Sequence, residues 1–364
     1  MRKILAVIAA LILITGCVQG GERAEQPTPQ QTSGDNTQDP VDESSSGWLF
    51  TANEGGSITR IDLTDNKVTA SIEATGSVHN VQLSPDGKVL AATVVPEMND
   101  EDSGHAENGD DAHGHGMTMN GLANFYDAAS GNLIESVEVG QHPAHVVYTS
   151  DGKLALVTNN EGNNVSIIDT STYTVVDTIP TGKGPHGFRI SADNRFAYIA
   201  NMGEDTVSVI DLIERKENRR IKVGAAPVTT SVTSDGKLLA VTLNAENALA
   251  VVTLATDQIE KIGVGSGPAQ VYIQSDNLYA FVANQGTADN PSRTVSKIDL
   301  ADKKTVATIE TGAGAHGVIT SADTKKIYVT NMFENTLSII DNETHRVIDT
   351  LQTGEMPNGI TISP

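Results

Sequence analysis

Cysteine and tryptophan each occur once in the 364 residues, and aromatic side chains make up only 4%. A single Cys excludes a disulfide framework, Cys-based zinc fingers and most iron–sulfur sites, and there is no CxxCH haem-attachment motif. Basic residues are scarce as well: 24 Lys plus Arg stand against 46 Asp plus Glu, a formal net charge of −22. That balance argues against a nucleic-acid partner, because neutralising phosphates requires a basic surface. No GxSxG, HExxH or P-loop occurs, and spacing assembles no nucleophile–base pair, so catalysis finds no positive support. What remains is ample for a packed core, with 38% hydrophobic and 19% charged residues. The length fits one large domain or two ordinary ones.

The N-terminus carries a compartment signal. Arg2-Lys3 forms a positive n-region, and Ile4 to Ile14 is an apolar run too short to span a bilayer as a mature helix. The run ends in Ile14-Thr15-Gly16-Cys17, which resembles the bacterial lipoprotein lipobox. The resemblance implies a signal peptide over 1–16 and acylation of Cys17, rather than an ordinary signal peptide with an incidental Cys. The mature chain would keep 348 residues and, without Arg2 and Lys3, a net charge of −24. It is expected in the cell envelope, outside the cytoplasm, held to a bacterial membrane by lipid rather than by a spanning segment. Residues 17–47, rich in Gln, Ser, Thr, Asp, Gly and Pro, are expected to be a disordered tether.

From Trp48 onward the chain repeats itself. A short turn recurs with Asp at 86, 151, 193, 235, 276 and 323, and a seventh copy would place its Asp at 365. Each unit of about 42 residues holds four short strand-like runs, here called a, b, c and d. Counting the C-terminal run with the three N-terminal ones gives seven of each kind. A four-strand period near 42 is a propeller blade, so the chain is expected to be all-β, a seven-bladed β-propeller over 48–364 with antiparallel blades. The last strand should complete the first blade and so remove an open sheet edge. Two sandwich domains would leave the period unexplained.

The segments "YIANMGEDTVSVIDL" (198–212), "LVTNNEGNNVSIIDTSTYTVVDTIPTG" (156–182) and "YVTNMFENTLSIIDNETHRVIDTLQTG" (328–354) resemble the YVTN-repeat propellers. The resemblance covers essentially all of 48–364 and implies the fold; it implies function weakly, since such propellers serve many roles. The Asn that closes each b run (Asn53, Asn159, Asn201, Asn284, Asn331) is assigned to turn chemistry, because Asn tolerates the left-handed region and caps local backbone groups.

The largest departure from the repeat is an insertion at 96–121, in the b–c connection of the second blade. It carries seven acidic residues and no basic one, with His105, His113, His115, Met98, Met117 and Met119. Propeller topology puts b–c and d–a connections on one face. His79, His142, His145, His186 and His316 lie at d–a turns or the starts of a runs, and Met202, Met332 and Met356 also fall on that face, leaving only His345 on the other. His79, His186 and His316 sit seven residues before the repeat Asp and His145 six, positions that surround the channel mouth.

Imidazole suits zinc and copper, and thioether sulfur favours Cu(I). The expected metal site is therefore His79, His145, His186 and His316 as a fixed set, with His105, His113, His115, Met117 and Met119 as a looser capturing loop. Each part also has a plain structural reading: His at the start of strand a can satisfy turn backbone groups, and His-Gly-His-Gly amid acids can be a solvated insertion. The functional expectation is an exported, lipid-anchored propeller that binds a copper or zinc ion for capture or delivery, non-enzymatic and monomeric, with an envelope protein as a possible partner. The alternatives are a non-catalytic scaffold for a protein or glycan and, with less support, a lactonase-type enzyme. Binding should weaken as pH falls through about 6.5, where free imidazole protonates.

Overall fold

A computed structural model describes residues 47–96 and 119–364. It contains seven four-stranded antiparallel sheets, each one blade. The first blade runs β28 (Pro357–Ile362), β1 (Trp48–Asn53), β2 (Ser57–Asp62) and β3 (Lys67–Glu73), so the two ends of the described chain meet in one sheet. Leu49 pairs with Ile362 and Thr51 with Ile360. The strand-a elements are β4 (Gly76–Leu83), β8 (Pro143–Tyr148), β12 (Pro185–Ile190), β16 (Pro227–Val232), β20 (Pro268–Ile273), β24 (Ala315–Thr320) and β28. Each packs against the next and β28 packs against β4, which closes the ring around a central channel. Among the described residues no helix is long and apolar enough to cross a membrane.

The alternation of the sequence shows in burial. Strands b and c, such as Leu154–Asn159 and Asn164–Asp169, are buried almost throughout because a neighbouring blade covers each face. The outermost strands, such as Thr174–Pro180, are mostly exposed. Seven apolar clusters fill the seven blade-to-blade seams; one joins Phe50 and Ile58 to Val78 and Leu90, and another closes the ring by joining Leu49 and Ile61 to Tyr328 and Ile339. Phe50, Phe125, Phe188 and Phe281 are fully buried, each contributing about 1.5–3 kcal/mol by area. With aromatics at 4%, Val, Ile, Leu and Ala supply the rest.

The repeat Asp holds the a–b turn: Ser84 Oγ donates to Asp86 Oδ1 at 2.7 Å and Thr149 Oγ1 to Asp151 Oδ1 at 2.7 Å. The residue after it must turn left-handed, which explains Gly87 and Gly152 at φ of 70° and 69°. The acidic insertion leaves the second blade between β5 (Val89–Pro96) and β6 (Asn120–Asp127), as its position in the repeat requires.

The recurring Asn of strand b differs from its sequence reading. Asn53, Asn159, Asn201 and Asn331 are the last residues of extended strands and Asn284 lies two residues before the end of its own; all five are fully buried, and none has a positive φ. Their amides tie strand b to strand c: Asn159 Nδ2 donates to Asn164 Oδ1 at 2.7 Å and to Ser166 Oγ at 2.9 Å, while its Oδ1 accepts from Gly140 N at 3.0 Å. Asn159 and Asn331 also cap a backbone N–H, of Gly140 and Gly312, but across strands and from an extended conformation; the left-handed turn positions belong to other residues, such as Asn163 and Asn335.

Candidate metal centre at the channel mouth

Strand a carries one extra residue near its start in most blades. The register slips between Val78 and Asn80, between Pro143 and Val146, between Pro185 and Phe188 and between Ala315 and Val318. His79, His145, His186 and His316 all fall inside these bulges, which re-aim side chains that a regular strand would send between blades. In three of these four blades a Thr on strand b receives the backbone N–H that the bulge displaces; the bulge between Pro185 and Phe188 faces Ala200 instead. Thr158 Oγ1 accepts from His145 N at 3.0 Å and donates to the carbonyl of His186 in the next blade at 2.7 Å. Thr93 does the same for Asn80 N and the Ala144 carbonyl, at 3.0 and 2.8 Å.

Three of the four predicted channel imidazoles come together. His79, His145 and His186, from three consecutive blades, each offer a ring nitrogen, and these nitrogens lie within 4.8 Å of one another. Nitrogens shared by one zinc ion at about 2.0–2.1 Å sit roughly 3.3–3.6 Å apart, so small ring rotations suffice to close the set. His79 Nε2 and His186 Nε2 are already 3.2 Å apart. His316, from the seventh blade, is outside this triad; it is buried, and its Nδ1 has no protein partner among the described residues. His142 stands apart at a left-handed position, with Nδ1 3.7 Å from Glu161. His345 lies across the molecule in a c–d turn, its Nε2 3.1 Å from Lys297 Nζ. Met332 is buried and accepts from the Gln285 amide at 3.2 Å, whereas Met119, Met202 and Met356 are exposed. His105, His113, His115, Met98, Met117 and Cys17, with the expected signal peptide and the expected tether up to residue 46, lie outside the described residues.

Hydrogen bonding fixes which nitrogens are free. His186 Nδ1 lies 3.2 Å from the Val228 carbonyl, which only accepts, so Nδ1 carries a hydrogen and Nε2 keeps its lone pair. His79 Nδ1 lies 3.0 Å from Glu54 Oε1. Burial opposes ionisation of Glu54, but the hydrogen bond and charge of His79, aided by the Asn358 amide and His316, bring its pKa down to about 2. The carboxylate therefore accepts and His79 Nδ1 donates, so that in its uncharged form His79 too presents a lone pair at Nε2. Two lone pairs facing each other at 3.2 Å are unfavourable without a positive charge between them. The arrangement accommodates one such charge, either a proton or a metal ion.

His145 adds a second unmet demand. It is 2% exposed, and neither ring nitrogen has a hydrogen-bond partner among the described residues. An orphaned buried group of this kind costs about 1–3 kcal/mol, and a bound cation would relieve it. Burial, then the neighbouring His186 and His79, hold its pKa well below the ordinary value. Burial and His79 likewise bring His186 to about 3 and His316 to about 4. These imidazoles stay neutral, the form that ligates, at every mildly acidic pH.

Glu54 and Asn358 were missed from sequence. Glu54 follows the strand-b Asn53, where a turn residue was expected, and Asn358 sits seven residues before position 365, the place His79, His186 and His316 occupy in their own repeats. Placing the seven repeats in register around a ring would have brought Asn358 to the channel mouth. No such argument yields Glu54, because the b–c connection varies from blade to blade.

The comparisons with known proteins bear on the fold. A YNCE-like β-propeller family model matches residues 218–364, and a Choice-of-anchor I domain model matches 110–265. The first agrees with the YVTN-type repeats and the seven blades. No protein with a curated description matches the chain. Among solved structures, the chain is similar to hydrazine synthase of Kuenenia stuttgartiensis, with 20% identity, 78% of this chain and 89% of that one covered, and a TM-score of 0.64. It is similar as well to a putative 6-phosphogluconolactonase of Bacteroides fragilis, with 13% identity, 88% and 99% coverage and a TM-score of 0.68. At these identities the likeness is one of fold.

Proposed function

We propose that the protein is an exported, lipid-anchored propeller that captures a zinc or copper ion and delivers it, holding the ion at His79, His145 and His186. The observation that carries this reading is the convergence of three imidazoles on one point, with two ring nitrogens 3.2 Å apart and a third ring wholly unpartnered among the described residues. Three histidines with an open fourth position suit zinc and accept copper. The pattern carboxylate–histidine at Glu54 and carbonyl–histidine at Val228 is what orients imidazole ligands and raises their basicity. His105, His113, His115, Met117 and Met119 would supply the first, looser contact, and the net charge of −22 would concentrate cations near it. An open position and a partly exposed His79 leave a route for the ion to pass to a partner in the envelope.

Calorimetry of the mature chain with Zn(II), and with Cu(I) under reducing conditions, tests the reading. One ion per chain should bind with submicromolar affinity, and in the form with a proton between His79 and His186 that proton should be released, so the heat varies with the buffer's ionisation enthalpy. His79→Ala, His145→Ala and His186→Ala should each weaken binding at least about tenfold, His316→Ala far less. Affinity for both ions that is micromolar or weaker, and unchanged in the triple variant, would sink the proposal.

A further inference from the structure

Beneath the imidazoles the channel wall holds a single fixed charge. Strand β12 of the fourth blade carries His186 in its bulge and Arg189 three residues further from the mouth, about 10 Å along the strand. Register gives Arg189 its counterparts in the other blades. It pairs with Tyr198, three residues before the strand-b Asn201, and Gln82, Val147, Ser231, Tyr272, Ile319 and Thr361 pair with the equivalent positions. Strand a is the innermost strand of every blade, so these residues form one layer around the channel. Gln82 Nε2 donates to Thr361 Oγ1 at 3.4 Å within that layer. Arg189 and Tyr272, on strands with β16 between them, bear on each other's ionisation, which requires that both reach the space those strands share.

Arg189 is the only ionised member of the layer. Burial raises the Tyr272 phenol above its ordinary value and keeps it neutral, and the other five carry no titratable group. Burial works against the Arg189 charge, yet a guanidinium stays protonated in any protein setting. Among the described residues it makes one hydrogen bond, from Nη1 to the Phe188 carbonyl at 2.9 Å, and no carboxylate pairs with it. Its field is therefore not cancelled locally. After burial, His186 and His79, it is one of the influences that hold the His145 ring neutral.

A cation among the imidazoles would meet the same field. Glu54, the only carboxylate hydrogen-bonded to the three rings among the described residues, attracts such an ion from the side of the mouth. Arg189 opposes it from below. Coulomb repulsion scales with the charge of the ion, so Zn(II) would feel twice the energy that Cu(I) feels at the same position. We propose, on the reading that the imidazoles hold a metal ion, that Arg189 loosens that hold through its charge, more for a divalent than for a monovalent ion, and so sets the site for release. It acts without touching the ion.

Zinc and Cu(I) affinities of the mature chain and its variants, read by competition with chelators of known strength at fixed ionic strength, test this. Arg189→Gln should tighten zinc binding at least about tenfold and slow zinc release to excess chelator by a similar factor. Cu(I) binding should tighten by about the square root of the zinc factor, roughly threefold. Arg189→Lys should bring zinc affinity back toward the parent's, since charge and not guanidinium geometry acts. Damage to packing would loosen the site, so the sign of the change separates charge from structure. Should Arg189→Gln fail to fold, Gln82→Glu keeps the size, adds a negative charge to the same layer and should tighten zinc binding several-fold. A parent chain that binds neither ion overturns the metal reading and this inference together. Where the parent binds zinc, unchanged or weaker affinity in a folded Arg189→Gln, equal factors for zinc and Cu(I), or no tightening in Gln82→Glu overturns this inference alone.

Discussion

At the scale of single residues, the channel mouth is governed by what each imidazole is bonded to on its far side. Val228 and Glu54 are both pure acceptors toward His186 and His79, and both thereby commit Nδ1 as donor and leave Nε2 free. They differ in charge. A peptide carbonyl orients the ring, whereas the Glu54 carboxylate, with its pKa near 2, also attracts positive charge onto His79 and anything bound to it. Glu54→Gln keeps an oxygen that can accept the hydrogen bond and removes that attraction. Zinc affinity, read by competition with a chelator of known strength, should fall about tenfold, and Glu54→Ala should fall further because the ring loses its orientation too. Both variants should melt within a few degrees of the parent, since Glu54 and His79 are only partly buried. Equal affinity in all three chains would remove Glu54 from the site.

At the scale of the strand, the Thr-Asn pair of the YVTN-like signature divides its labour. Asn159 ties strand b outward to strand c, and Thr158 ties it inward, to the bulge at His145 and to the His186 carbonyl in the next blade. Thr330 and Asn331 repeat the arrangement with Gly317, Asn358 and Ser338. Thr158→Val keeps the shape and deletes the hydroxyl, so the bulge N–H and the next carbonyl are both left buried and unmet. A loss of about 1–3 kcal/mol in urea unfolding is expected, together with weaker zinc binding, because Thr158 spans two of the three imidazole-bearing strands. A stability loss with unaltered zinc affinity would show that the strand tolerates movement at the bulge. This division also explains what was legible in the sequence. Spacing located strands and the face of each His, since both follow from a period. The role of Asn159 was misassigned because local preference describes Asn in a turn, and here the side chain answers to the neighbouring strand.

At the scale of the whole molecule, closure of the ring was legible from counting, because seven a runs and seven b runs balance only when β28 joins β1. Which histidines would meet was less legible. His316 has the same place in its repeat as His79 and His186, yet it stands in the seventh blade while the triad spans the second to fourth. His145, one residue out of step with the others, joins instead, because the bulge between Pro143 and Val146 includes it and breaks the regular alternation of the strand there. Gathering buried neutral imidazoles makes the fold itself pH-sensitive. Free imidazole protonates near 6.5, so in the unfolded chain His145, His186 and His316 take up protons as pH falls below about 7. In the folded chain His316 does so near 4, His186 near 3 and His145 well below its ordinary value. Between those limits the unfolded state binds more protons, so stability must fall as pH falls. Carboxylates with lowered pKa, such as Glu54, act in the same direction, but their loss begins only below about 4.5, where free carboxyls protonate. The interval from pH 6.5 to 5 therefore isolates the histidines. The urea midpoint of the metal-free chain should drop across it, by an amount equivalent to a few kcal/mol shared among the three rings. Replacing His186 and His316 with Asn, which does not titrate, should flatten most of that slope. A midpoint constant from pH 7 to 5 in the parent chain would mean that these rings protonate in place, and that the channel mouth is wetter and more open than its geometry describes.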